Sequence, residues 1–527
     1  MNTPLVKRFQ NVLQHVLCWL ALAGMTCAAP VATHKKQLPT KPESLITLYP
    51  PCPYYHVVGK GDGLTQIDAR IELDGHDRLG ARLVVDISDA SGKAIQTKSL
   101  SLSRSTIAGV VVHVPIDAVA RFGVSARLLD KSGREIAKGT SEIHVAPGEE
   151  SRVAISPDGF LRVAGKPQFV LGMYSASHFP EMGEAGFNAT HSYAVVTGEA
   201  ADSINSNDVH LKQLLDSSWD NHMRMMVELP REAIEKADWR QVRRRILTFR
   251  HHPGLLCWGS EERVARGRTK PANISALYQL VKELDPDHPL VLGDSKDVIK
   301  KFEHDRSDFF PEPDMDVGIW WWYPIPIRIS QASALQEDEA KHGFMEPPSW
   351  LTTTIAKKPL WIAIQSYQKP KADARFPTPA EYRCMAYLSI INRVKGLFFY
   401  SGSGQKDHDG KPSGLLNKPV EGHWNYVRKL VGELHEFSPI IMAPSSAEKV
   451  EISPANNSVE FATRKSGNRI YLIAANKSPS PQSLRFISPL LADKKASVLF
   501  EDHVATIVGN VLADSFEPFG VHIYCIE

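Results

Sequence analysis

Between residues 151 and 443 the chain repeats one pattern: a short apolar segment, a turn, then a stretch with helical spacing. The apolar segments read "QFVLGMY", "FNATHSYAV", "RMMVELP", "GLLCWGS", "PLVLGDS", "DVGIWWWYP", "PLWIAIQSY" and "GLFFYSG". Each is short and bounded by turn or charged residues, which favours a buried strand over a helix. The clearest helical stretches between them are "DVHLKQLLDSSWDNH", "ADWRQVRRRILTFRHH", "ISALYQLVKELDPD" and "PAEYRCMAYLSIINRVKG". Strands alternating with helices build a parallel sheet, and eight of them is the number that closes a (β/α)8 barrel. A doubly wound open sheet is the structural rival, but no Gly-rich phosphate loop follows the first segment.

The flanks have a different rhythm. Residues 46–150 alternate apolar and polar positions in runs such as "TQIDARIEL", "ARLVVDISD" and "AGVVVHVPI", separated by the turns "DASGK" and "DKSGRE". That spacing predicts an Ig-like antiparallel sandwich. Residues 444–527 return to short strands, as in "RIYLIAANKS" and "GVHIYCIE", and predict a second small β-sandwich. The expected chain is therefore multidomain, a central TIM barrel between two β-sandwiches. Neither flank shows a motif that carries chemistry, so both are expected to cover the barrel and fix its loops.

Residues 1–29 carry Lys7 and Arg8, an apolar run from Val16 to Met25, and small residues through Ala28 and Ala29. This is the build of a cleaved secretory signal peptide. Gly24 stands three residues before Cys27, where a lipobox needs an aliphatic residue, so lipidation is not expected. A Lys/Pro-rich linker, residues 30–45, follows, and no later segment has the roughly 18 consecutive apolar residues of a spanning helix. The mature chain is expected to be periplasmic or secreted, with no membrane partner after cleavage. A net charge of +2 gives no electrostatic argument for nucleic acid, and the basic run Arg243 to Arg245 is expected to be a solvated helix face. Cys52, Cys257, Cys384 and Cys525 would survive cleavage without a CxxC, so neither a disulfide framework nor a zinc ribbon is indicated. Cys257 and Cys384 are expected as core thiols, and a Cys52–Cys525 bridge is left open. No cofactor is implied. The loop Lys406, Asp407, His408, Asp409 lacks the ligand spacing of a particular metal.

In a (β/α)8 barrel the chemistry sits at the carboxyl ends of the strands. There the fourth segment ends in Glu261 and Glu262, the third in Glu228 and the fifth in Asp294. Carboxylates so placed suit acid/base work on a glycosidic bond, in which one group protonates the leaving oxygen while another attacks or activates water. Aromatic faces suit sugar rings, and Trp322 and Tyr323 are expected at the mouth, with Tyr174, His191, Tyr193 and Tyr400 offering hydrogen bonds from the rim.

Several phrases together, "SPDGFLRVAGKPQFVLGMY", "AGFNAT", "HHPGLLCWGSEE", "ELDPDHPL", "DVGIWWWYPIP" and "DSFEPFGVHIY", resemble the clan A glycoside hydrolases, and within them bacterial secreted family 2-like barrels. The resemblance runs from about residue 155 to the end and implies a carbohydrate substrate, an acid/base glutamate ending strand four and a nucleophile glutamate ending strand seven. This chain departs from the pattern at both places. Gln365 stands at the nucleophile place, and an amide cannot form a covalent glycosyl intermediate; it is expected instead to bind substrate as a donor and acceptor. At strand four, ungapped counting from Trp258 puts Arg263 at the glutamate place. A one-residue deletion makes Glu261 and Glu262 the pair, and this is preferred because it keeps two carboxylates. Glu262 is then the expected general acid, supported by Glu261, with Glu228 as the second catalytic carboxylate. A sugar-binding barrel that has lost catalysis and a secreted scaffold are the rival classes, because a fold does not fix an activity.

Overall fold

The computed structural model describes residues 46–527 apart from 50–55, 59–63, 72–78, 103–106, 114–119, 148–151, 176, 193–203, 262–268, 295–314, 326–357, 371–373, 404–405, 407–408, 417–420 and 456. The expected signal peptide and linker lie outside the described residues. So do Tyr193 and Glu262 among the site candidates.

Each of the eight apolar segments supplies one strand of a closed parallel barrel. The strands are Val170–Tyr174, Ala189–Ser192, Arg224–Glu228, Leu255–Glu261, Leu290–Asp294, Val317–Trp322, Leu360–Gln365 and Gly396–Tyr400, and the eighth pairs with the first. Alternation along each strand divides the side chains. Val170, Ala189, Met226, Cys257, Val291, Ile319, Trp361 and Phe398 fill the interior. Leu171, Met225, Trp258, Leu290, Trp320, Ile362 and Leu397 join an outer core with helix residues such as Leu277, Val281 and Val431. The interior is packed side chain, not a pore.

Closure needs a small residue where a large one crosses. A Cβ added at Gly172 of the first strand would lie 2.2 Å from the Phe398 ring, itself fully buried against Trp361 and Tyr174. Gly172→Ala is expected to cost about 1–3 kcal/mol through overpacking, read as a lower denaturation midpoint in urea.

A three-stranded antiparallel sheet, Val153–Ile155, Leu161–Val163 and Lys166–Gln168, precedes the barrel. Its Val153 and Leu161 belong to the interior core, and the Val153 amide donates to the Asp287 carbonyl, just ahead of the fifth strand. This sheet stops the amino-terminal end of the barrel and leaves the polar chemistry to the other end.

Two further pairs of sheets flank these elements. A three-stranded sheet (Ile46–Tyr49, Leu64–Ile71, Ile107–His113) and a five-stranded one (His56–Val58, Glu135–Pro147, Ala120–Leu129, Arg82–Ser88, Ala94–Ser101) share one apolar core. The two predicted turns have one construction: Asp89 accepts from Ser91 and the Lys93 amide, and Asp130 from Ser132 and the Arg134 amide, with Gly92 and Gly133 both at φ 83°. Only glycine takes that conformation without strain. Toward the carboxyl terminus, Glu451–Ser453, Gln482–Ile487, Thr506–Val508 and Val511–Phe516 form one four-stranded sheet, and Val459–Ser466, Arg469–Asn476, Ala496–Val498 and Val521–Ile526 form another over a second core. Cys257 and Cys384 are buried thiols; Cys525 is a free, buried thiol, while Cys52 lies outside the described residues.

On the outer face of strand four, the Trp258 indole donates to Asp285 at 2.7 Å, and His288 Nδ1 sits 2.9 Å from the same oxygen. Burial by itself would raise the Asp285 carboxyl, but His288 and the indole N–H outweigh it and hold the group below the ordinary aspartate value. The "ELDPDHPL" turn is thereby fastened to the fourth strand.

The basic run differs from expectation. In the helix Trp239–Phe249, Arg243 is half exposed, but Arg244 reaches Asp208 at 3.2 Å and Arg245 is 1% exposed, 3.7 Å from Asp208. Arg245 shares the helix face of Ile246 and Phe249, and its guanidinium donates to the Glu228 carbonyl at 3.5 Å. It is a buried brace behind the third strand.

Candidate active site

The carboxyl ends of six barrel strands bring together a continuous polar and aromatic arc. It begins at Glu228, the last residue of strand three, whose inward direction follows from the parity of Met226. The carboxylate is 1% exposed, with Oε1 3.4 Å from His191 Nε2 at the end of strand two and Oε2 3.9 Å from Arg231 Nε. Oε2 is buried and has no hydrogen-bond partner among the described residues. Buried carboxylate oxygens are normally satisfied, so this one is suited to a bound hydroxyl or water.

Space for the carboxylate comes from the neighbouring strand. Glu228 pairs with Gly259, and a Cβ on Gly259 would lie 2.7 Å from Oε1. The small residue that ended the "LLCWG" run is what admits a glutamate beside it.

From His191 the arc continues by ring contacts. Tyr174, ending strand one, lies 4.4 Å from the His191 ring and 5.2 Å from Tyr400, which ends strand eight. Tyr400 in turn meets Tyr323, past strand six, at 5.2 Å, and Tyr367, past strand seven, at 5.5 Å; Tyr323 and Tyr367 are 5.4 Å apart. Tyr174 and Tyr367 are buried while Tyr323 and Tyr400 are partly exposed. Burial pushes the Tyr367 phenol up to about 12, so it stays protonated as a donor at neutral pH.

Two expected substrate contacts are placed differently. Trp322 is 1% exposed and belongs to the outer core with Trp320. Alternation accounts for this: Ile319 faces the interior, so Trp321 joins the interior cluster and Trp320 and Trp322 turn out under the helices. Gln365 is fully buried, but its amide is engaged by backbone. Oε1 accepts from the Ile325 amide at 2.9 Å, and Nε2 donates to the carbonyls of Ile325 at 3.0 Å and Tyr367 at 3.1 Å. The side chain that was expected to bind substrate ties the segment after strand six to the segment after strand seven.

Glu261 is the last residue of strand four, at the register of Gly293 and two residues beyond Gly259. Asp294 ends strand five at the register of Trp320. Lining residues the sequence reading omitted are Tyr367, Arg231 and Gly259. Tyr367 was recoverable, since "QSY" puts it two positions beyond Gln365; Arg231 needed the turn after strand three.

No family model and no curated protein matches the sequence. Solved structures of related shape include a Bifidobacterium dentium beta-glucuronidase complexed with coumarin-3-O-glucuronide, at 13% identity and TM-score 0.43, covering 73% of this chain and 66% of that one. A Bacteroides uniformis beta-glucuronidase aligns at 12% identity and TM-score 0.42, covering 91% and 58%. A glycosyl hydrolase family 2 member from Bacteroides cellulosilyticus aligns at 12% and 0.38, covering 92% and 74%. The chain spans less than two thirds of the length of the first two.

Proposed function

We propose that this protein is an exported glycosidase-like barrel that hydrolyses a glycosidic bond in an oligo- or polysaccharide. The observation that carries the reading is the buried Glu228 carboxylate, with one oxygen on His191 and the other facing Arg231 at 3.9 Å without a hydrogen-bond partner among the described residues, at one end of an arc of four tyrosines. Tyrosines supply apolar faces for sugar C–H surfaces and hydroxyls for sugar oxygens. In this reading Glu262, next after the fourth strand, donates the proton to the leaving oxygen, supported by Glu261. Glu228 takes a proton from the attacking water, with His191 holding its carboxylate in place. Gln365 offers no nucleophile, so the bond is broken by single displacement with inversion at the anomeric carbon.

The test is release of reducing sugar from a panel of polysaccharides and aryl glycosides, comparing the purified protein with Glu262→Gln. Activity lost in the variant, with products of inverted configuration by NMR, is the expected result. A second reading, sugar binding without turnover, is favoured by the Gln365 amide being wholly engaged by backbone. Oligosaccharide binding by calorimetry with no product from any substrate would select it and refute hydrolysis.

A further inference from the structure

We propose that the carboxyl-terminal sheets hold a divalent transition-metal ion of the zinc class, bound by His503, Asp514 and His522. One ligand atom from each of these residues lies within 4.8 Å of the others. Asp514 comes from the strand Val511–Phe516 of one sheet, His522 from the strand Val521–Ile526 of the other, and His503 from the segment after Ala496–Val498. Two imidazoles and a carboxylate are a donor set that zinc and its neighbours favour.

The surroundings orient these donors. His522 Nδ1 is 2.8 Å from Glu501, and Glu501 is anchored by Arg383 at 3.0 Å. A carboxylate on one ring nitrogen fixes the tautomer and leaves the other as the ligand, the usual outer arrangement of a metal-bound histidine. Nε2 of His522 faces the Ser515 carbonyl oxygen at 3.2 Å. His522 thus meets an acceptor at each ring nitrogen, Glu501 at Nδ1 and the Ser515 carbonyl at Nε2, beside the Asp514 carboxylate, so positive charge is favoured here, and a metal ion would take Nε2 in place of its carbonyl contact. Asp514 is steadied by the Tyr524 hydroxyl at 2.7 Å, while His503 Nε2 lies 2.8 Å from its carboxylate.

Ligands about 2.0–2.2 Å from one ion stand about 3–3.5 Å apart, so the cluster has to contract. His503 can supply that movement, because its side chain is 32% exposed whereas Asp514 is 7% and His522 11% exposed. Binding draws His503 out of its stack on His522, where the rings are 4.5 Å apart. Water completes the coordination. The ion pins the two sheets together and, through Glu501 and Arg383, tightens their hold on the barrel helix Pro379–Ile391. This inference is independent of the sugar reading.

The experiment uses the full chain, stripped with a chelator and titrated with Zn2+ by calorimetry, with Co2+ as the spectroscopic probe. One ion per chain, tetrahedral Co2+ absorption and a raised thermal midpoint are expected. His503→Ala, on the exposed side, should weaken binding at least tenfold, and Glu501→Gln about 10–100-fold. No uptake, or uptake unchanged in both His503→Ala and Asp514→Asn, would overturn the proposal and leave a protonated His522 as the cation. If His522→Ala fails to fold, the two other variants still decide.

Discussion

Glu228→Gln is expected to lower kcat/KM on any hydrolysed glycoside by about 10²–10⁴, the range for removing a general acid or base, while leaving the thermal midpoint within a degree or two. Glutamine keeps the volume and one carbonyl oxygen toward His191, so the packing of strand three survives. It has no basic oxygen to take a proton from water. Gly259→Ala should act in the same direction without touching the carboxylate chemically, since its methyl would meet Oε1 at 2.7 Å and displace it. A Glu228→Gln protein that hydrolyses as well as the parent would remove Glu228 from the reaction. Circular dichroism and a melting curve on the same sample separate loss of chemistry from loss of fold.

Asp285→Ala is expected to destabilise the barrel by about 3–5 kcal/mol, the cost of breaking a buried charged network from one side. The carboxylate is 3% exposed and accepts from Trp258, His288 and the Asp287 amide. Alanine leaves the Trp258 indole N–H and the His288 ring in an apolar site with nothing to receive them. Asp285→Asn, which retains an acceptor, should cost less. The same residue predicts an acid limb. A carboxyl held below its unfolded value contributes stability that is complete above that value, about 3.9, and is lost as pH falls through the folded value. Urea midpoints measured from pH 7 down to pH 3 should fall more steeply in the parent than in Asp285→Asn. Equal slopes would show that this carboxyl does not govern the acid limb.

The barrel was legible because buried parallel strands write themselves as short apolar runs, and every run chosen, from "QFVLGMY" to "GLFFYSG", is a strand. Facing was less legible where four aromatics stood in a row. At "WWWY" hydrophobicity cannot tell inside from outside, and only the register of Ile319 assigns Trp321 inward and Trp322 outward. Glu228 could be nominated from its strand end, but its setting depends on Gly259 and His191, contributed by neighbours 31 and 37 positions away in sequence. Arg245 misled for a related reason: a guanidinium in a basic run looks solvated until a carbonyl on another element is found for it. The His503, Asp514 and His522 cluster had no readable spacing, because two sheets and a turn had to be folded before the three met.

Gln365 bears on whether a covalent mechanism is open to the proposed enzyme. The resemblance to family 2-like barrels implies a glutamate at this position, so Gln365→Glu looks like a one-step way to supply a nucleophile. Here the amide donates to two carbonyls and accepts from one amide. A carboxylate would keep the acceptor role and turn the other two contacts into repulsion between oxygens. The substitution should release the segment that carries Tyr323 before it supplies a nucleophile. A covalent mechanism is thus barred by architecture as well as by chemistry: the residue acts as a rivet, and placing a nucleophile there would first require another fastening for the segments after the sixth and seventh strands.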